Sequence, residues 1–166
     1  AGVNFLNTKP SERLGIPSIR MSDGPHGLRK QTDIADNGSS KSEPATDFTT
    51  ASCSANSWNP ELTYKMGQAI AEECRYYDVQ VLLGPGANIK RNPLCGRNFE
   101  YFSEDPLLSG EMASGAVLGL QDNGVGVSLT HFALNNLEKY RSMGNSICDE
   151  RAMREIYLKS FERVFK

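Results

Sequence analysis

The sequence predicts an α/β fold, a parallel (β/α) barrel of the TIM type, with about the first half of the eight strands present. Three observations predict it. Short apolar runs alternate with longer segments of helical period, the pattern of repeated strand–helix units. The helical segments open on capping signals. Every loop rich in polar chemistry follows a strand: Ser22 to Gly27, Gly84 to Glu104 and Thr130 to Arg141. In such a barrel these loops gather at the C-terminal face, where the chemistry is done. A closed barrel typically needs ~250 residues. The 166 residues here are therefore read as one partial barrel domain, 1–166.

The elements follow in order. Ile16 to Met21 reads as the first strand, ended by Ser22-Asp23-Gly24-Pro25. Asp33 to Asp47 is a polar loop of low complexity. Asn59-Pro60-Glu61 opens a helix: Asn59 caps it, Pro60 suits its first turn, and Glu61 suits the positive end of the dipole. Leu62, Met66, Ala69, Ile70 and Cys74 then fall close to one face. Val79 to Leu83 is the second strand. Asp105-Pro106 opens a second helix, which stops near Asn123-Gly124. Gly126 to Leu129 is a third strand. Asp149-Glu150 starts a third helix, with Met153, Ile156, Tyr157 and Val164 as its apolar stripe.

Between the second strand and the second helix lies GPGANIKRNPLCGRNFEYFSEDP, Gly84 to Pro106. A strand-to-helix connection usually takes ~2–6 residues, so a loop of about twenty points to function. Lys90, Arg91, Arg97, Glu100, Glu104 and Asp105 are interleaved there with Phe99, Tyr101 and Phe102. Charged and aromatic groups in that mixture suit one wall of a site for a polar ligand. The aromatics are expected to lie mostly in the core beneath the loop, with one lining the pocket.

Composition excludes several classes. Lys+Arg number 18 against 20 Asp+Glu, so no basic stripe suggests nucleic acid. No apolar run reaches ~18 residues, so none of the chain reads as a membrane-spanning helix. Four cysteines stand far apart with no CxxC, and there are two histidines, a poor supply of zinc ligands. Neither metal nor organic cofactor is expected. The cysteine pattern and the lack of signal-peptide features at the N-terminus point to a reducing cytoplasm, with an extracellular site left open.

Three motifs carry a resemblance: GIPSIRMSDGPHGLR (Gly15 to Arg29), LLGPGANIKRNPLCGRNFEYFSEDP (Leu82 to Pro106), and THFALNNLEKYR (Thr130 to Arg141) with CDERAMREIYL (Cys148 to Leu158). Together, in this order and over nearly the whole chain, they are similar to the N-terminal barrel domain of glycoside hydrolase family 3. That family includes many β-glucosidases and β-xylosidases. The resemblance implies a bacterial cytoplasm, and hydrolysis of terminal, non-reducing β-D-glucosyl residues with retention of configuration. A retaining enzyme uses two carboxyl groups ~5–5.5 Å apart, one as nucleophile and one as acid/base. By the resemblance, the nucleophile comes late in the barrel and the acid/base from a following domain. No catalytic residue is therefore assigned in this chain.

The resemblance assigns instead the groups that hold the sugar. Asp23, in the SDGPHG motif, would accept from sugar hydroxyls, and a charged acceptor makes the stronger bonds. Arg97, in CGRNFE, would offer a planar fork of donors. His131 would be a neutral partner to another hydroxyl, and Thr130 stands where the family commonly has lysine. The loss of a charged donor there costs ~1.5–3 kcal/mol of binding. Glu100, Glu138 and Arg141 are expected to support these contacts.

Local readings run beside these. Asp23 alone would serve as a turn residue, and Arg97 would pair with Glu100 or Glu104. Glu138 and Arg141, three apart, would pair with each other. His26 would be structural in its tight turn, and Trp58 would pack before its helix. Within the family the alternatives are β-xylosidase and β-N-acetylglucosaminidase. The second resembles a loop with a further histidine, where this chain has Ala133-Leu134-Asn135-Asn136. A non-catalytic reading is a half-barrel that binds sugar weakly or self-associates, since an open half exposes sheet edges and apolar surface. The expected partners are thus a β-glucoside or oligosaccharide, the rest of the barrel with a following domain, and a second copy of the chain.

Overall fold

The computed structural model describes residues 2–4, 6–32 and 41–166. Its centre is a three-stranded parallel sheet in the order β1 (Met21–Asp23), β2 (Val81–Leu83), β3 (Gly126–Val127). Met21, Ser22 and Asp23 pair with Val81, Leu82 and Leu83, and Val81 and Leu82 pair with Gly126 and Val127. Sequential strands that lie side by side and parallel are the arrangement of a (β/α) barrel. The ladder reaches past its named strands. Thr130 donates to the Pro85 carbonyl at 3.0 Å, and Ala87 donates back to Thr130 at 2.6 Å.

Among the described residues, helices open at the three capping signals read from the sequence, and one more forms without such a signal. The short α1 (Ala51–Ala55), which no sequence signal marked, is capped by the Thr50 hydroxyl. The second, α2 (Pro60–Tyr76), is capped by Asn59, and α3 (Pro106–Gln121) by Asp105. Asp149 caps α4 (Glu150–Ala152), which continues through a π-helical turn, Met153–Tyr157, into α5 (Lys159–Phe165). The stop after α3 uses Gly124 at φ +79°, a conformation that glycine adopts without penalty.

Two apolar clusters form the core. Leu82 of β2 meets Ile70, Ala71 and Cys74 of α2 and Leu120 of α3 in the first. Phe102, Met112, Ala113 and Phe161 make the second, beneath the long loop. Helices α2 and α3 touch almost backbone to backbone. A Cβ on Gly67 would lie 2.5 Å from the Ala116 carbonyl oxygen, and one on Gly119 would overlap the Tyr64 carbonyl. The Thr63 hydroxyl, buried in the seam, lies 2.9 Å from the carbonyl oxygens of Pro60 and Met112.

Several local expectations are corrected. The first strand lies later than Ile16 to Met21. Ile16 and Ile19 are exposed, and residues before Met21 form isolated antiparallel bridges, Asn7 with Arg20 and Ser11 with Ile16. Pro17 has no N–H to give a ladder, so the run reads as strand by hydropathy but cannot pair as one. On α2 the buried residues are Thr63, Gly67, Ile70, Ala71 and Cys74, while Leu62 is exposed. Close approach to α3 selects small side chains there over large apolar ones. In the last helix Tyr157 and Phe161 are buried and Ile156 is exposed. The π-helical turn adds a residue to the turn and rotates the stripe out of phase. Trp58, expected to pack, is 73% exposed. Of the loop from Asp33 to Asp47, residues 33–40 lie outside those described.

Candidate functional site

The C-terminal ends of the three strands and the loops after them enclose an open cleft of about 690 Å³. Asp23, the last residue of β1, lines it. Its carbonyl accepts from Arg29 at 2.8 Å, which folds the Gly24–Leu28 turn back over the strand end. That turn is tight. A Cβ on Gly24 would lie 2.5 Å from the Gly27 carbonyl oxygen and 2.7 Å from Leu82.

The long loop supplies the opposite wall. Arg97, Phe99 and Glu100 line the cleft, and a 3₁₀ turn over Asn98–Glu100 sets their order. Glu100 is 3% exposed, and its carboxylate accepts from Arg97 Nε. Glu138 Oε1 stands 3.8 Å from the same nitrogen. Burial works against the charge of Arg97, but the bond to Glu100 and the nearby carboxylates outweigh it, holding the guanidinium above its ordinary value. Among the described residues the bonds that hold Arg97 are made through Nε, on the inner side of the fork. Glu104 does not take part; among the two partners expected for Arg97, Glu100 is the one used.

The loop after β3 adds Thr130, His131 and Arg141. His131 Nδ1 is 2.9 Å from the hydroxyl of Tyr101, a fully buried side chain. Burial and the charge of Arg97 lower the His131 pKa to about 4, so the ring is neutral at pH 7. Arg141 pairs with Glu138 at 3.8 Å, as their spacing suggested. Glu138 thus stands between two arginines of the cleft.

The structure brings Asp23, Arg97, Glu100, Thr130, His131 and Arg141 to one cleft, with Glu138 behind them. Other expected members turn away. Lys90 bonds the Ser52 hydroxyl, and Arg91 reaches the Tyr157 hydroxyl at 3.2 Å. His26, expected to be structural, and Glu43 and Asp47, read as polar loop, also line the cleft, and Phe99 is the loop aromatic that does. Phe99 meets His26 edge to face at 5.4 Å, and the His26 Nδ1 is buried without a partner among the described residues. Phe99 is the aromatic that the loop leaves half exposed, while Tyr101 and Phe102 are core. Glu43 and Asp47 had no signal of their own, because a polar stretch reads as solvated loop. Among the described residues no group of His, Cys, Asp or Glu is arranged to hold a metal ion. No helix among them is long and apolar enough to cross a membrane.

A partial parallel barrel, with Asp23, a half-buried Arg97 on a buried Glu100 and a neutral His131 at the C-terminal mouth of its strands, defines the class, a (β/α) barrel domain. Residues 5–165 match the family model described as the glycosyl hydrolase family 3 N-terminal domain, and the chain belongs to that family. It is 56% identical over 167 residues to thermostable β-glucosidase B of Acetivibrio thermocellus, covering 100% of this chain and 22% of that protein. An exo-α-(1→6)-L-arabinopyranosidase of Bifidobacterium longum is 52% identical over 162 residues, covering 93% of this chain and 21% of that one. Among solved structures, β-glucosidase 3B of Thermotoga neapolitana in complex with α-D-glucose superposes with a TM-score of 0.88 at 47% identity. That match covers 100% of this chain and 23% of the other. The chain thus spans about a fifth of the length of the curated relatives it matches.

Proposed function

We propose that this chain forms the sugar-holding part of a retaining β-glucosidase, and that the protein containing it releases terminal β-D-glucosyl residues. The carrying observation is the convergence of Asp23, Arg97 and His131 on one cleft from three separate strand ends. Asp23 offers acceptors, Arg97 a fork of donors, and His131 a neutral ring. Together these match the alternating donor and acceptor character of a pyranose edge. Glu100 and Glu138 orient Arg97, and Thr130 contributes a hydroxyl at the mouth.

Residues 1–166 alone are expected to bind sugar without turning it over. A retaining mechanism needs both a nucleophile and an acid/base, and on this reading both come from residues outside 1–166. In a nitrophenyl β-glucoside assay the 166-residue chain should show no release above background. Turnover abolished by Asp23→Asn would overturn this reading.

A second substrate has a specific observation in its favour, the 52% identity to an arabinopyranosidase. An α-L-arabinopyranoside also presents a pyranose with an equatorial glycosidic bond, and lacks the exocyclic carbon. Glucoside, xyloside and arabinopyranoside substrates given to a protein of the relatives' length separate these readings.

A further inference from the structure

Behind the cleft a row of polar groups runs from His131 into the core, and its geometry bears on which proton the imidazole carries. Tyr101 OH lies 2.9 Å from His131 Nδ1. Asn135 Nδ2 lies 3.3 Å from the same hydroxyl and donates to Glu138 Oε1 at 2.7 Å. The Asn135 backbone is itself held, because its carbonyl accepts from Asn88 Nδ2 at 3.1 Å. Asn88 also accepts from the Leu134 N–H at 3.2 Å, and its side chain is fully buried. Each member of the row is fixed by another.

The donors can be assigned in sequence. A side-chain amide nitrogen only donates, so Asn135 Nδ2 gives a proton to the Tyr101 oxygen. The hydroxyl then has one proton of its own. The Asn135 carbonyl, which can accept from both Asn88 and Tyr101, lies at a long 3.4 Å from the hydroxyl, whereas His131 Nδ1 lies at 2.9 Å, within the range of a strong bond. Tyr101 therefore donates to Nδ1. Burial holds the phenol well above its ordinary value, which keeps that proton in place.

We propose that Tyr101, backed by Asn135, is a positioning residue that fixes His131 as the Nε2–H tautomer, so that the imidazole faces the cleft as a donor only. This rests on the sugar-site reading above. Its consequence is a rule of specificity: the ligand group at His131 must accept. A sugar hydroxyl accepts there and keeps its own proton for a carboxylate of the cleft. An ammonium group has donors alone and cannot take the same place.

The 166-residue chain has two histidines, so ¹⁵N-histidine labelling gives a spectrum in which His26→Gln assigns the pair. Two-bond ¹H–¹⁵N correlation near pH 7 should show His131 as the Nε2–H tautomer without sugar. Tyr101→Phe should convert it to a mixture, and Asn135→Ala should weaken the preference. An Nδ1–H tautomer in the unsubstituted chain, or an unchanged tautomer in a folded Tyr101→Phe variant, would overturn the proposal. Should that variant fold poorly, a cycle in a protein of the relatives' length replaces it. There Tyr101→Phe should weaken glucose binding about fivefold to tenfold. In a His131→Ala background it should have no further effect. Additive losses would also overturn the proposal. Glucose is titrated last: a fixed Nε2–H signal that ignores glucose would sustain the positioning role and count against the sugar site instead.

Discussion

His131 shows how a single residue takes its chemistry from its surroundings. Its ordinary pKa of 6.5 falls to about 4, through burial first and then the charge of Arg97, with Arg141 adding to it and Glu100 and Glu138 opposing. In the unfolded chain the ring binds its proton near the ordinary value, so between about pH 6.5 and pH 4 the unfolded state holds more protons than the folded one. Stability from this group is therefore complete above that window and is lost as pH falls through it. Urea unfolding across pH 4 to 7 should show a falling stability that becomes shallower in His131→Gln. Equal slopes would remove the account of a buried neutral ring. Residue types and motif positions made Asp23, Arg97 and His131 legible in the sequence. Tyr101 and Asn135 were not, because they lie 30 and 4 positions from His131 and no local spacing marks a contact made by folding.

At the scale of elements, the packing of α2 on α3 depends on the absence of side chains more than on their presence. Gly67, Gly115 and Gly119 each face carbonyl oxygens of the opposite helix at distances that exclude a Cβ. Gly119→Ala should force the helices apart and lower stability by about 1–3 kcal/mol, the usual cost of overfilling a packed seam. A thermal melt reads this directly; an unchanged midpoint would mean that the seam relaxes freely. The same seam explains why hydropathy found Ile70 and Cys74 on the buried face of α2 but wrongly added Leu62 to it. Leu62 is the more apolar residue, but Gly67 and Ala71 allow the contact. Caps were more faithful guides, since Asn59, Asp105 and Asp149 each act within their own turn and depend on nothing distant.

For the whole molecule, the two outer strands differ. The edge of β1 is covered by the N-terminal arm, where Met21 N–H donates to the Leu6 carbonyl at 2.8 Å and Thr8 N–H to Ile19 at 3.0 Å. Strand β3 pairs only with β2 among the described residues. The segment after it exposes Phe132, Leu137, Tyr140, Met143 and Ile147. A strand edge beside apolar surface favours association, so contact of the 166-residue chain with a second copy is expected through the β3 side rather than through both edges. The purified 166-residue chain should therefore associate with concentration in light scattering, and Leu137→Lys with Met143→Lys should suppress it. A monomer at every concentration would leave that face without the role argued for it. The alternation of apolar runs and capped helices by itself determined the parallel α/β class, and the three motifs determined which residues to look for. Both are local or ordered along the chain, so they survive in the sequence. Only the tertiary structure decided that Glu100 rather than Glu104 holds Arg97, that Lys90 and Arg91 turn from the cleft, and that Tyr101 reaches His131. Those outcomes depend on which groups a long loop and two strand ends bring within hydrogen-bonding distance, and that distance exists only once the chain has folded.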